Sequence, residues 1–221
     1  MVELIHGLRP ETVAANLASV RATIAQAGRD PDEVQILAAV KYLPREELAA
    51  LVAGGVKLAG ENRAQQLLEK APHHPQLTWD FIGALQSRKV AQIIPYVRYI
   101  HSVASESALR QLERHASAQT RILIEVNVAG DPAKSGIDPV QLPQFIARSP
   151  VTVVGLMTMP PFSADPEASR PYFAQLRELA RRHGLAELSM GTSQDYQIAV
   201  AEGATIIRLG QTLLRPAARD A

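Results

Sequence analysis

Cysteine is absent from the 221 residues, and lysine is scarce, with five against eighteen arginines. The missing cysteine excludes disulfides, thiolate metal sites and cysteine nucleophiles. It also fits a reducing cytoplasm. Net charge is only +1, so no bulk field draws the chain to nucleic acid or to an anionic membrane. No apolar run reaches the ~18–20 residues that a bilayer requires. The opening MVELIHGLRPETVAANL lacks the charged-then-apolar order of a signal peptide. No Gly-x-Gly-x-x-Gly follows a strand-like segment, which weighs against a dinucleotide fold. His73-His74 stands in a proline-flanked loop without further ligands, so no metal site is expected. The expectation is a soluble cytoplasmic protein. At 47% hydrophobic and 20% charged, its composition is that of a globular chain with a sizeable core.

What is present alternates. Residues 11–27 read as an amphipathic helix, with Pro10 and Glu11 suited to its first turn and Gly28 as a stop. Residues 34–41, Val-Gln-Ile-Leu-Ala-Ala-Val-Lys, are nearly all apolar and read as a strand buried on both faces. Helix 44–53, strand 56–59, helix 62–70, strand 78–82 and helix 87–94 follow. Then come strand 97–101, helix 105–118, strand 121–128, helix 139–147, strand 151–157 and helix 167–183. Strand 186–189, helix 194–202 and strand 204–209 close the series, with room for a short tail helix. About eight strand–helix units in this length favour a (β/α)8 TIM-type barrel with an extra N-terminal helix. One domain, 1–221, is expected, since no linker interrupts the pattern.

In such a barrel the chemistry sits at the C-terminal ends of the strands. Three features there carry weight. Lys41 ends the most apolar strand, where burial lowers the pKa of an amine and makes it nucleophilic. A lysine snorkelling from the rim satisfies the position equally well. Ser189-Met-Gly-Thr-Ser193 places hydroxyls and a glycine between a strand end and a helix start, which suits an anion such as phosphate. Helix capping by Ser193 is the plainer account. Arg208, within Ile-Ile-Arg-Leu-Gly, is costly in an apolar strand unless paired. It is either a structural ion pair or a fixed cation facing a ligand. An aldehyde for Lys41, a phosphate for the hydroxyl loop and an acceptor for Arg208 together describe pyridoxal 5′-phosphate (PLP).

At these residues the sequence resembles the YggS/PROSC family of PLP homeostasis proteins, whose fold is that of the alanine racemase N-terminal barrel. The matching segments are Leu37-Ala-Ala-Val-Lys41, Gly60-Glu-Asn62, Phe81-Ile-Gly83, Leu85-Gln-Ser-Arg-Lys89, His101-Ser102, Lys134-Ser-Gly136, Gly155-Leu-Met157, Ser189-Met-Gly-Thr-Ser193 and Arg208-Leu-Gly210. Each is short, but their order and spacing over residues ~30 to 214 are specific. The resemblance implies PLP as cofactor, with Lys41 as its imine lysine. It further implies Ser189, Gly191, Thr192, Ser193 and the backbone near Gly210 around the phosphate. Arg208 would face the pyridine nitrogen, and Asn62 and Met157 would line the cofactor. The chain departs from the family at Asp80, where histidine is usual, at Thr192, and in its C-terminal Gln211-Thr-Leu-Leu-Arg215.

The functional expectation follows from Arg208. PLP catalysis needs a protonated pyridine nitrogen as electron sink, and an arginine can only donate to that nitrogen. The expected role is therefore PLP homeostasis. PLP would be held as a Schiff base on Lys41 and released by transimination to a free amine or to an apo PLP-dependent enzyme. The expected protein is a monomer without robust catalysis. A PLP-dependent amino-acid racemase or a Schiff-base aldolase is the alternative, with Glu61 and Glu125 as acid/base candidates. In alanine racemase the second base comes from a further domain. For Glu125 an internal pairing with Arg208 or Lys41 is the simpler account.

Overall fold

The computed structural model describes residues 4–215. A chain whose strands are apolar on both faces must cover both, and closing a parallel sheet inside a ring of helices does so. Eight parallel strands close in sequence order: β1 (Gln35–Ala39), β2 (Leu58–Glu61), β3 (Thr78–Phe81), β4 (Tyr99–Val103), β5 (Arg121–Glu125), β6 (Thr152–Met157), β7 (Glu187–Thr192) and β8 (Ile206–Leu209). The seam is the β1–β8 pair, with Leu37 opposite Arg208.

Helix α1 (Pro10–Gln26) precedes β1 and begins with a proline at its first position. The connecting helices are α2 (Leu48–Ala53), α3 (Ala64–Lys70), α4 (Val90–Ile93), α5 (Glu106–His115), α6 (Leu142–Ala147), α7 (Arg170–Arg182) and α8 (Tyr196–Ala201). The tail helix, α9 (Gln211–Leu214), packs against α1. None of these helices is long and apolar enough to cross a membrane among the described residues.

The alternation of side chains along each strand sorts the core into two compartments. The larger lies between barrel and helices and includes Ala38, Val40, Ala59, Ile100, Ile122, Leu156 and Leu209. The smaller fills the barrel interior with Leu37, Ala39, Leu58, Ile82 and Ile206. Above and beside this apolar plug the inward positions are polar, and they build the site.

Several boundaries differ from the sequence reading. β1 ends at Ala39, so Lys41 lies two residues beyond the strand, in a turn. β7 continues to Thr192, so much of the expected hydroxyl loop is strand. Helices expected at 44–53, 87–94 and 139–147 each open with a 3-10 turn before the α-helix.

The sheet is tight where β6 meets β7. A Cβ added at Gly155 would lie 2.0 Å from the Glu187 backbone oxygen on the neighbouring strand. Gly155→Ala should therefore destabilise the fold by about 3 kcal/mol. A urea denaturation series would measure it, and a midpoint equal to wild type would contradict this packing.

Candidate functional site

A cavity of about 490 Å3 opens at the C-terminal ends of the strands. Lys41, Asn62, Thr192, Ser193, Arg208 and Gly210 all line it. A smaller compartment of about 140 Å3 adjoins it through Met159, Phe162, Thr192, Gln194 and Arg208, and adds Gly191 and Lys134. Seven of the nine expected residues thus converge on one mouth. Met157 and Ser189 do not. Met157 is buried within the barrel, and the methionine on the wall is Met159. The Ser189 hydroxyl lies beneath the cavity, hydrogen-bonded to Arg208 and His101, so it is not free to receive a phosphate.

The Lys41 side chain is exposed, which is the rim-lysine alternative and not burial in the strand. Its Nζ stands 4.8 Å from the centre of the Tyr42 ring. What holds its turn is a different lysine. Lys70 Nζ donates to the Val40 carbonyl at 3.0 Å and pairs with Glu61 Oε2 at 2.6 Å. Glu61 Oε1 in turn accepts from the backbone N–H of Asn62 at 2.7 Å and of Arg63 at 3.2 Å. One ion pair, at most 1% exposed, therefore anchors both the Lys41 turn and the Asn62 turn. By sequence Glu61 is an acid/base candidate, and nothing in the sequence singles out Lys70. Glu61 faces outward from β2 and is fully engaged.

Arg208 is 6% exposed and has no carboxylate partner among the described residues. Its Nη1 donates to Ser189 Oγ at 2.7 Å and its Nη2 to the Thr158 carbonyl at 3.0 Å. Burial pushes its pKa down to about 10, against the through-space pull of Asp195 and Glu125, so it remains a cation at neutral pH. Glu125 makes no ion pair with Arg208 or Lys41. It accepts from Ser135 Oγ, and burial raises its pKa.

Beneath Arg208 runs a polar chain that sequence reasoning missed. His101 Nδ1 lies 2.8 Å from Ser189 Oγ, and His101 Nε2 lies 3.1 Å from Asp80 Oδ2. Asp80 is gripped by Arg98 through Nε and Nη2 at 3.1 and 2.6 Å. Burial alone would raise the Asp80 pKa, but His101 and Arg98 outweigh it and hold the carboxyl below its ordinary range. Burial depresses the pKa of His101 despite the attraction of Asp80. The signal was present in the sequence: Asp80 and His101 interrupt apolar strands at inward positions.

The anion-facing side is made of backbone. Ser193 Oγ accepts from the N–H groups of Gly210 and Thr212, so it ties the β7 and β8 ends together and caps α9 rather than α8. Thr192 donates its hydroxyl to Asp195. The N–H groups of Ser193, Gln194 and Gln211, on residues that line the cavity, have no backbone or side-chain acceptor among the described residues. Asn62 Oδ1 is buried and also lacks a partner. A cavity with a buried cation, free N–H donors and one orphaned acceptor is built for a polar, anionic ligand.

The fold and site together define a barrel of the alanine racemase N-terminal kind, and the family model for that domain matches residues 9–215. The chain belongs to the YggS/PROSC family of pyridoxal phosphate homeostasis proteins. It is 37% identical to the Aquifex aeolicus pyridoxal phosphate homeostasis protein, over 92% of this chain and 96% of that one. It is 36% identical to the Pseudomonas aeruginosa protein of the same name, over 95% and 96%. Among solved structures, PipY of Synechococcus elongatus with PLP bound superposes with a TM-score of 0.79 at 34% identity, covering 92% of this chain and all of that one. Corynebacterium glutamicum alanine racemase shares the fold, with a TM-score of 0.70 at 17% identity over 97% of this chain and 64% of the racemase.

Two stability predictions follow from the buried charges. Lys70→Met leaves Glu61 uncompensated and should cost about 3–5 kcal/mol in urea denaturation, whereas Glu61→Gln with Lys70→Met should recover much of it. The pH dependence has a definite sign. His101 is harder to protonate when folded, so the unfolded chain takes up the proton first and stability falls as pH drops below about 6.5. The depressed Asp80 carboxyl contributes stability above its unfolded value near 3.8 and loses it as pH falls further. Urea midpoints between pH 7.5 and 2.5 should decline in two stages, and His101→Gln should remove the first.

Proposed function

We propose that this protein binds PLP in the 490 Å3 cavity and serves intracellular PLP homeostasis as a carrier. The observation that carries the reading is Arg208, a buried guanidinium without a carboxylate, in the same cavity as Lys41. The names of its relatives and the PLP in PipY support the ligand. The residues present suit the group. Lys41 offers an exposed amine for the aldehyde. The free N–H groups of Ser193, Gln194 and Gln211 suit the phosphate, and the unused Arg208 donors suit the ring nitrogen. Gly210 and Thr192 complete the wall beside the phosphate, and Asn62 lies along the cofactor with its unpartnered oxygen.

Bound PLP supplies an aldehyde that condenses with amines and, when its ring nitrogen is protonated, an electron sink. Arg208 cannot give up a proton at its pKa of about 10 and cannot accept one, so it leaves the ring nitrogen unprotonated. The residues thereby favour holding and handing over PLP above carbanion chemistry. Lys41 holds it as a Schiff base and gives it up by exchange with another amine. Apo PLP-dependent enzymes are the recipients in this reading, and the cytoplasm is the compartment.

Purified protein mixed with PLP should gain an imine absorbance band. Borohydride should fix the label on Lys41, and Lys41→Ala should abolish both. Deuterium exchange at the α-carbon of free amino acids should stay at background. A protein with no band would remove the carrier reading, and rapid exchange would replace it with a racemase.

A further inference from the structure

The polar chain inside the barrel has a single permitted proton order, and its Asp80 end dictates it. Arginine can only donate, so Ser189 Oγ must accept from Arg208 Nη1 at 2.7 Å. The Ser189 hydroxyl keeps a second lone pair and one proton, so the direction of its 2.8 Å bond to His101 Nδ1 is set by the His101 tautomer. From the other end, the Asp80 carboxylate receives Arg98 Nε and the Tyr99 N–H on Oδ1, and Arg98 Nη2 and His101 Nε2 on Oδ2. With two donors on each oxygen, that carboxylate is a fixed acceptor, so His101 must carry its proton on Nε2. A neutral His101 so oriented has a bare Nδ1, and the Ser189 hydroxyl must donate to it.

We propose that Asp80 and His101 are positioning residues for Arg208: Asp80 selects the Nε2–H tautomer of His101, which turns the Ser189 hydroxyl away from Arg208 and leaves a lone pair that pins the guanidinium beneath the cofactor cavity. Asp80, His101 and Ser189 are all 0% exposed, so this is no hydrolytic Ser–His–Asp centre, because nothing can reach the serine. The chain acts on orientation alone. The Gln35 side chain accepts from Arg98 Nη1 at 2.5 Å, so Arg98 is also held at the opposite end of the barrel. The second grip on Arg208, the Thr158 carbonyl at 3.0 Å, lies on the far side of the guanidinium. Together the two acceptors leave its other donors for the cavity. The consequence for cofactor binding rests on the PLP reading above, whereas the proton order does not.

The distinguishing variant is Asp80→Asn, which keeps the shape and removes the charge. Whichever way the amide turns, its NH2 meets donors that the carboxylate accepted. Nitrogen-15 NMR of histidine-labelled protein without PLP reads the tautomer, with His101→Gln to assign the signal. Wild type should show His101 as Nε2–H, and Asp80→Asn should move part of it to Nδ1–H. In PLP titrations Asp80→Asn should bind on the order of tenfold more weakly, the effect of disturbing one charged hydrogen bond, at unchanged circular dichroism. Should Asp80→Asn fail to fold, Ser189→Ala cuts the last link without touching the ion pair. It should weaken PLP to the same degree while His101 keeps Nε2–H. An Nδ1–H tautomer in wild type, or a folded Asp80→Asn or Ser189→Ala protein that binds PLP like wild type, overturns the proposal. A wild type that binds no PLP defeats only the function proposed above, since the tautomer shift still decides the proton order.

Discussion

Arg208 is a full positive charge inside a closed barrel, and the polar architecture is arranged around that constraint. A buried guanidinium without a counter-ion is tolerated only if its donors find acceptors. From below, the acceptors are a neutral hydroxyl and a backbone carbonyl, which satisfy geometry without neutralising the charge. The nearest carboxylates act through space: Asp195 is engaged by Thr192 and Ser169, and Glu125 by Ser135. The charge therefore remains available to whatever fills the cavity above it. Asp80 and Arg98 carry equal and opposite charges deeper in the barrel, so the second guanidinium adds no net charge.

A second buried pair governs the rim. Beyond Ala39 at the end of β1, the β1 and β2 side of the cavity is lined by Lys41, Tyr42 and Asn62, which lie past the strand ends in turns, ordinarily the softer part of a barrel. Glu61 and Lys70 compensate by reaching from one turn to the other: Lys70 through the Val40 carbonyl, Glu61 through two backbone N–H groups. The Lys41 amine can thus stay in solvent while the Val40 carbonyl before it is anchored by a buried ion pair. An exposed amine on a fixed turn suits exchange with incoming amines better than a lysine sealed in a strand.

Much of this was legible in the sequence, for physical reasons that can be named. Continuous apolar runs separated by amphipathic segments allow little besides a parallel sheet wrapped in helices, and eight of them close. The short motifs around Lys41, Asn62, Thr192, Ser193, Arg208 and Gly210 sit at strand ends, and strand ends converge in a barrel whatever the details of packing. The nature of the site, a cation and an amine beside a hydroxyl loop, was therefore decided by residue type and order alone.

Only the tertiary structure decided which polar residues face the cavity and which serve beneath it. Ser189 and Ser193 are four residues apart on the same segment, yet one orients Arg208 inside the barrel and the other ties two loops together at its mouth. The buried lysine is Lys70 and not Lys41, because burial depends on where a helix docks, and α3 docks with Lys70 against Glu61. Asp80 and His101 stood out as polar residues in apolar strands, but their join to Ser189 spans 88 residues between His101 and Ser189 and exists only once the barrel closes. A linear pattern records which groups are present; the direction of each hydrogen bond between them depends on closure, because only closure brings donor-only and acceptor-only groups to opposite ends of one chain.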